Sequence, residues 1–463
     1  MNSAAAGAGT VAVWPQFRGL GGSGVAEDAD PPVHFGPQSN LVWKAALRPG
    51  NSSPCIWGDR LFLTAFESNE LQTLCLDRGH GRVLWRRSVP PGKVEGTSRL
   101  SSPASSTPAT DGERVVVYFG AFGLLCYGFD GAELWRKPLP VPITQHGAST
   151  SPVLSDELVL LVCDQDVGSH LLAVDKRDGR IAWRTDRAGF RRGFTTPLLW
   201  RADGREQLVV AGTLRLTAYD VASGREVWSV RGLPNEMCPS PVMGPGLIFA
   251  AGWTPGAGVP RLPSYEKLLA EDDRNHDGQL SHSEAPNGPA RQHFTYIDAD
   301  KDGTVTRAEW DTMAEIFGKS ENALLAVRPG GQGDVTDTHV SWKQKRGLPY
   351  VPSPLCYQGR VYLVKNGGLA SCFDATNGAA LFQEERIGAL GDYYASPVAA
   401  GGKVFLCSQN GVVSVLAAGD TLQVLARNEL KENILATPAI VENTIYVRTL
   451  GSLFAFGTRR AER

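Results

Sequence analysis

The chain has 463 residues, a formal net charge of -2 and an isoelectric point near 6.5. This balance provides no basic excess for neutralising phosphates or an anionic membrane surface, so we do not expect nucleic acid as a partner. No apolar run approaches the roughly 18 residues that a membrane-spanning helix requires, and we expect no membrane span. The 52 glycines and 30 prolines favour many short strands joined by tight turns, which predicts an all-β fold.

The segment from Met1 to Val13 is small and weakly apolar. It lacks the basic start and the long apolar centre of a secretory signal, so we recognise no signal peptide in it. Two alternatives stay open: a cytoplasmic protein, or an exported protein whose leader is not part of this sequence.

A Ser-Pro or Thr-Pro pair opens an apolar strand eight times along the chain. The intervals are roughly 41 to 54 residues, apart from one of roughly 113 that marks an insertion in the fifth repeat. An alternating strand follows each pair, as in the stretch from Gly359 to Val364. The prolines of the pairs are Pro54, Pro108, Pro152, Pro197, Pro241, Pro354, Pro397 and Pro438.

A turn with the spacing Asp-x-x-x-Gly-x-x-x-Trp recurs within the repeats. The Asp side chain bonds the backbone of its own turn, the Gly supplies a positive φ, and the aromatic side chain can fill the wedge between neighbouring sheets. The second repeat shortens this turn, and the seventh is degenerate. The complete examples are Asp77/Gly81/Trp85, Asp175/Gly179/Trp183 and Asp220/Gly224/Trp228, with Phe replacing Trp in Asp374/Gly378/Phe382.

A period near 44 residues with four strands per unit predicts a β-propeller of eight blades. The last repeat stops near Gly457 without an outer aromatic strand, whereas Leu41-Val42-Trp43-Lys44 resembles an outer strand without a blade. We therefore expect the two ends to close the ring, which would remove exposed sheet edges; two adjacent sandwiches are the rival architecture. The predicted organisation is an N-terminal extension over 1–40, propeller over 41–254, an insertion over 255–320, and propeller over 321–463.

These turn residues resemble the repeat of the PQQ-like (quinoprotein-type) β-propeller family. The stretches Trp14-Pro-Gln-Phe-Arg-Gly19 and Gly347-Leu-Pro-Tyr-Val-Pro-Ser-Pro354 are similar to exported repeat proteins of planctomycete-type bacteria. This resemblance implies a periplasmic or extracellular location. The family includes both quinone-dependent alcohol dehydrogenases and a cofactor-free outer-membrane assembly lipoprotein, so the fold does not assign an activity.

The insertion contains two twelve-residue loops typical of EF-hand calcium sites, 25 residues apart, with helical spacing before and after them. Calcium takes about six to eight oxygen ligands, and each loop offers side-chain oxygens, a central Gly and a final Glu at the required positions. We expect two calcium sites and a small α-helical EF-hand pair, with structural and regulatory roles both open. The predicted ligands are Asp273, Asn275, Asp277, Gln279, Ser281 and Glu284 in the first loop, and Asp298, Asp300, Asp302, Thr304, Thr306 and Glu309 in the second.

Polar and aromatic residues precede several of the Ser/Thr-Pro strands, where a propeller chain approaches its axis. A concave mouth with such groups is a candidate site for an unknown protein or small molecule, although these residues could equally solvate the channel entrance. The members of this set are His146, Arg192, Glu236, Tyr350, Asp392, Tyr393 and Asn433.

The sequence does not support PQQ as a cofactor, because it contains neither the adjacent cysteines that the family's dehydrogenases place beside the quinone nor a complete metal triad at the mouth. We therefore favour a monomeric, noncatalytic binding or scaffold protein of the bacterial envelope and identify no catalytic residue. A PQQ-dependent dehydrogenase and a carbohydrate-binding or carbohydrate-processing propeller are the alternatives. Several of the eight cysteines occupy equivalent positions in different repeats, too far apart for disulfides, so we interpret them as buried thiols.

Overall fold

The computed structural model describes residues 11–144, 146–202, 204–255, 257, 263–287, 289–292 and 294–458. Its strands form eight antiparallel sheets around one axis, which confirms the predicted eight-bladed propeller. From the axis outward, the strands of blades 1 to 4 are Cys55–Trp57, Arg60–Glu67, Glu70–Asp77 and Val83–Val89; Ala109–Thr110, Arg114–Phe119, Gly123–Gly128 and Glu133–Pro138; Val153–Leu154, Leu158–Cys163, His170–Asp175 and Ile181–Asp186; and Leu198–Ala202, Arg205–Gly212, Arg215–Asp220 and Glu226–Arg231.

The second half of the ring repeats this order, with the insertion inside blade 5. Its strands are Val242–Gly244, Leu247–Gly252, Ala323–Val327 and Val340–Gln344; Leu355–Tyr357, Arg360–Lys365, Leu369–Asp374 and Ala380–Arg386; Val398–Ala400, Lys403–Cys407, Val412–Ala417 and Val424–Glu429; and Ala439–Val441, Thr444–Arg448, Ser452–Gly457 and Leu41–Ala46. Buried apolar side chains lie mainly on the faces that neighbouring blades share.

The ring closes in blade 8, where the N-terminal strand Leu41–Ala46 supplies the outer edge. It pairs antiparallel with Ser452–Gly457, with Leu41 opposite Phe456 and Ala46 opposite Ser452. The fully buried Arg448 joins this blade to blade 1, because its guanidinium donates to Ser52 O at 3.0 Å, Ser52 Oγ at 2.6 Å and Thr64 O at 2.9 Å. The predicted closure by the two ends of the chain is confirmed.

The outer-strand tryptophans pack on the turn glycine of the following blade. A Cβ placed on Gly179 in blade 3 would lie 2.7 Å from the ring of Trp135 in blade 2, and the same approach recurs at Gly81, Gly131, Gly224 and Gly378. Each of these indoles also donates to a backbone carbonyl of the next blade, as Trp135 Nε1 does to Lys176 O at 2.9 Å. The Trp and the Gly of one repeat therefore face different neighbours, one on each side of the blade.

Trp228 in blade 4 departs from this pattern. Its Nε1 donates to Gln207 Oε1 of its own blade at 2.8 Å. Blade 5 replaces the usual turn with the strand Gly333–Asp334, which pairs in parallel with the outer strand of blade 4, and with the helix Thr336–His339. The insertion-bearing blade thus contacts its predecessor through backbone pairing.

The segment predicted as an N-terminal extension is built into the propeller. Val13–Trp14 pairs with the inner strand of blade 1, and Val25–Ala26 pairs in parallel with that of blade 7. Between them lies the 3-10 helix Leu20–Gly22, and the fully buried Arg18 donates to Pro354 O of blade 6 at 2.8 Å. The segment also contacts the inner strands of blade 8, through Val13–Trp14, and of blade 4, through the 3-10 helix. Because blades 4 and 8 lie opposite each other in a ring of eight, the segment crosses the axis.

The insertion lies between Gly252 and Ala323 and has its own apolar core. Its helices are Tyr265–Asp272, Pro289–Gln292, Phe294–Ile297 and Arg307–Lys319, and its two short strands are Leu280–Ser281 and Thr304–Val305. Thr306 and Glu309 form a capping box at the start of the last helix. After the first loop no helix begins until Pro289, in keeping with Pro286 just past Glu284, because a proline interrupts helical hydrogen bonding.

Candidate functional site: the propeller mouth and the paired loops

A cavity of about 360 Å³ lies on the propeller axis. All eight hydroxyl residues of the Ser/Thr-Pro pairs line it, and Phe17 of the axis-crossing segment also faces it. We call these eight residues the hydroxyl ring. They are Ser53, Thr107, Ser151, Thr196, Ser240, Ser353, Ser396 and Thr437.

The hydroxyl ring connects neighbouring blades by hydrogen bonds. Among the described residues, seven backbone N–H groups of the ring donate to the hydroxyl of the next blade at 2.9 to 3.1 Å, as Ser53 N does to Thr107 Oγ1. Each accepting hydroxyl keeps a proton and can donate it to a ligand in the cavity. The recurrent Ser/Thr-Pro pair was the sequence signal for this ring, but the pairing between blades was not predicted.

Three residues predicted for the mouth line the cavity: His146, Glu236 and Tyr350. Burial raises the pKa of the Glu236 carboxyl. Burial, together with the charge of Arg192, lowers the pKa of His146, which keeps its imidazole neutral near pH 7. The cavity also contains Cys238, whose pKa burial raises well above the ordinary thiol value. The cavity wall therefore combines the Glu236 carboxyl and the Arg99 guanidinium with the neutral His146 ring and the aromatic ring of Tyr350.

The other four predicted residues lie away from the cavity wall. Tyr393 is fully buried between blades and donates to Ala389 O at 2.8 Å, while its neighbour Tyr394 lines the cavity instead. Asp392 accepts from the Tyr394 hydroxyl at 3.2 Å, and Asn433 is exposed, with its carbonyl bound to the backbone of Leu450. Tyr393 and Tyr394 lie in the irregular chain between blades 6 and 7. Side chains do not alternate regularly there as they do in a strand, so the sequence does not predict which tyrosine faces the axis.

Arg192 is buried in an ion pair behind the cavity wall. Its guanidinium donates to both carboxylate oxygens of Asp166, at 2.8 and 3.1 Å, and lies 3.9 Å from Glu236 Oε2. Arg187 is likewise buried, with Asp164 at 2.7 and 2.8 Å. These arginines are structural cations, because both partners of each ion pair are buried.

The two loops of the insertion share one conformation. His276 and Lys301, at the fourth position, have left-handed φ values of 56° and 61°, and Gly278 and Gly303, at the sixth, have φ values of 79° and 93°. The eighth residues, Leu280 and Val305, are buried opposite each other in an antiparallel bridge. Each loop is thus held against its partner by backbone pairing and apolar contact.

The predicted ligand residues converge within each loop. In the second loop the carboxylates of Asp298, Asp300 and Asp302 offer oxygens within 4.8 Å of one another. Glu309 folds back over this loop, with Oε1 accepting from Ala299 N at 2.8 Å and Oε2 from Thr306 N at 2.9 Å. Glu284 does the same in the first loop, with Oε1 accepting from Asn275 N at 3.3 Å and Oε2 from Ser281 N at 3.0 Å.

One carboxylate oxygen is left without a partner at the same position of both loops. Asp273 Oδ2 and Asp298 Oδ2 accept from the loop glycines at 3.0 and 3.2 Å, whereas the buried Oδ1 atoms of the same two residues have no hydrogen-bond partner among the described residues. A buried carboxylate oxygen without a partner is costly. The donor set therefore fits a hard cation that the first residue of each loop would bind through Oδ1.

All eight cysteines are free thiols, as the sequence indicated. In the described part of the chain, every helix is too short or too polar to cross a bilayer.

Comparison with solved structures shows the fold. BamB from Moraxella catarrhalis matches with a TM-score of 0.56 and 14% identity, covering 90% of this chain and 99% of that one. The quinohemoprotein alcohol dehydrogenase from Comamonas testosteroni matches with a TM-score of 0.56 and 11% identity, covering 97% and 82%. The computationally designed Ika8 protein matches with a TM-score of 0.54 and 10% identity, covering 90% and 99%.

A search of the curated proteins finds no match. The family model described as "Outer membrane protein assembly factor BamB" matches residues 70–235 and 290–462, which is well over half of the chain. The matched residues include five turn glycines on which a tryptophan of the preceding blade packs: Gly81, Gly131, Gly179, Gly224 and Gly378. The protein therefore belongs to the PQQ-like propeller family of the outer membrane protein assembly factor BamB.

Proposed function

We propose that this protein is a calcium-binding, noncatalytic propeller of the bacterial envelope that binds a protein or small-molecule partner at its mouth. In this proposal the insertion is an EF-hand pair with one calcium ion in each loop. The ions stabilise the insertion, and the propeller provides the binding surface.

The main support for calcium binding is that Oδ1 of Asp273 and Oδ1 of Asp298 are buried without a hydrogen-bond partner among the described residues. Both loops leave the same oxygen buried and unpaired, although their other ligand residues are hydrogen bonded within the loop. Calcium would satisfy both atoms at once, because it takes carboxylate oxygens at flexible distances. If the loops were acidic turns without a ligand, there would be no reason for the same carboxylate oxygen to be buried and unpaired in both of them.

The proposal of a noncatalytic role is supported by the ion pair behind the cavity wall, in which Asp166 and Arg192 neutralise each other. The family description, which names an outer-membrane assembly factor, supports an envelope location and a protein partner.

The test of calcium binding is calorimetric titration of calcium into chelator-stripped protein, with melting curves before and after. We expect two binding events and a raised melting temperature, because a ligand that binds only the native state stabilises it. Glu309→Gln removes one charge from the second loop and should weaken that site by about tenfold or more. The matched control is Glu315→Gln, at an exposed position of the same helix. Absence of calcium binding to the wild type would refute the proposal.

Parallel titrations address the alternatives. Tight binding of PQQ together with quinone-dependent dye reduction would replace the noncatalytic role with that of a dehydrogenase. Selective binding on a glycan array would assign the mouth to carbohydrate.

A further inference from the structure

The insertion is docked on the same face of the propeller as the cavity. Both of its ends converge on Asn235, the residue before Glu236. Asn235 Oδ1 accepts from Thr254 Oγ1 at 2.9 Å and from Ser320 Oγ at 3.0 Å. The short chain from Asn235 to Cys238, which brings Glu236 and Cys238 to the cavity wall, is therefore held by the base of the insertion.

The second loop also contacts the mouth directly. Lys301 stands at its fourth position, between the predicted ligands Asp300 and Asp302, and its ammonium lies 3.2 Å from Oδ2 of the fully buried Asp166. The ring of Tyr296, two residues before this loop, lies 4.6 Å from the guanidinium of Arg192, and its hydroxyl donates to Asn235 O at 3.4 Å. His276, the equivalent of Lys301 in the first loop, is exposed.

These contacts form a continuous chain of charges from the loop to the cavity. We call Lys301, Asp166, Arg192 and Glu236 the mouth network. Asp166 shares its charge between Arg192 and Lys301, and Arg192 in turn lies beside both Asp166 and Glu236. If Lys301 leaves Asp166, the ion pair with Arg192 is the one that the Asp166 carboxylate keeps among the described residues. The neutralisation of Glu236 by Arg192 then changes too, because such groups interact strongly at low local dielectric.

We infer that calcium in the second loop fixes the shape and charge of the propeller mouth through the mouth network. The inference rests on the proposed function, since it requires calcium to bind that loop. Bound calcium holds Lys301 on Asp166 and Tyr296 on Arg192; calcium release frees the loop and loosens the wall that carries Glu236. By thermodynamic linkage, a change in the mouth network must also change calcium affinity at the second loop.

Hydrogen–deuterium exchange of the full chain, with and without calcium, tests this inference. In the wild type, calcium should slow amide exchange in residues 164–168, 190–194 and 234–238 as well as within the loops. Lys301→Met removes the ammonium but no calcium ligand, so protection should persist within 298–309 and be lost from the three mouth segments. His276→Met, the equivalent change in the first loop, should leave the mouth response intact.

The outcomes separate this inference from the proposed function. If calcium binds by calorimetry but slows exchange only within residues 264–319, or if Lys301→Met keeps the mouth response, the coupling is refuted and the calcium site stands. If calcium does not bind at all, both proposals fail. As a reciprocal measurement, Asp166→Asn should weaken calcium binding at the second loop by about fivefold or more; unchanged affinity in the folded variant would also overturn the coupling.

Discussion

Glu95 is a buried carboxylic acid within the connection between blades 1 and 2. It is only 4% exposed, and its closest polar neighbours are the backbone amides of Glu95 and Ala148, with no side-chain partner among the described residues. A Cβ on Gly120 would lie 2.5 Å from Glu95 Oε1, so glycine at that position leaves room for the carboxyl. Burial raises the pKa of the Glu95 carboxyl.

The raised pKa predicts a pH-dependent cost of folding. Below the ordinary carboxyl range Glu95 is protonated in both the folded and unfolded states and contributes no pH dependence. As pH rises from that range through the raised pKa, the unfolded state loses the proton first, and the free energy of unfolding falls. Glu95→Gln removes this titration, and we expect it to be about 1 kcal/mol more stable than the wild type at pH 8.

Melting curves at pH 5 and pH 8 would measure this effect. The stability gap between Glu95→Gln and the wild type should widen as pH rises. Glu113→Gln, at an exposed position, should show no such widening. An equal gap at both pH values, or a less stable Glu95→Gln protein, would contradict the assignment of Glu95 as an unpaired buried acid.

At the scale of the blade, the contact between a tryptophan and the next turn glycine sets how closely neighbouring sheets approach. Gly179 has a φ of 72° and its missing Cβ would strike the Trp135 ring, whereas Gly402 has a φ of 71° with nothing within 4 Å. An alanine at either position would meet the same unfavourable left-handed backbone, but only at Gly179 would its Cβ also meet a neighbouring side chain. The two positions therefore separate conformational strain from loss of packing.

Alanine at the two glycines should have unequal effects. We expect Gly402→Ala to cost about 1 kcal/mol, from the left-handed backbone alone. Gly179→Ala should cost about 2 to 4 kcal/mol, because Trp135 must also move. Chemical denaturation of both variants measures the difference, and equal costs would show that the indole does not press on the turn.

Features that lie within one repeat were predictable from the sequence, whereas contacts between distant chain segments were not. The turn spacing predicted blades and wedge-filling aromatics because those requirements are local. The choice between Tyr393 and Tyr394, the buried pairing of Arg192 with Asp166, and the contact of Lys301 with Asp166 depend on chain segments that meet only in the folded ring. The two twelve-residue loops were recognisable in the sequence, because such a loop carries its turn residues and oxygen side chains within one short stretch.

At the scale of the whole molecule, eight repeats and an orphan strand sufficed to predict the ring and its closure. The axis-crossing path of residues 13–26 was missed, because Trp14, Phe17 and Arg18 belong to no repeat, although Trp14 and Arg18 are among the largest fully buried side chains. The hydroxyl ring was also missed. Its residues were visible in the sequence, but the bonds between them cross from one repeat to the next.

Closure by Leu41–Ala46 predicts a difference between two truncations. Removal of residues 1–46 deletes the closing strand and exposes the edge Ser452–Gly457, which should promote self-association. Removal of residues 1–40 retains the strand and should leave the protein monomeric, though less stable through loss of the axis-crossing segment. Light scattering coupled to size-exclusion chromatography distinguishes the two. A monomeric 1–46 deletion would show that the strand is dispensable for edge protection.

The pairing of Leu41 with Phe456 also governs the order of events during biosynthesis. The closing strand is made long before its partner, because most of the propeller lies between them in the chain. At about 5 to 20 residues per second, the interval between them is on the order of 20 to 80 s. During that time the early strand has no native sheet to join, and the apolar side of Trp43 is open to other contacts. A cell producing this protein must therefore keep the strand Leu41–Ala46 from wrong association until its partner strand has been made.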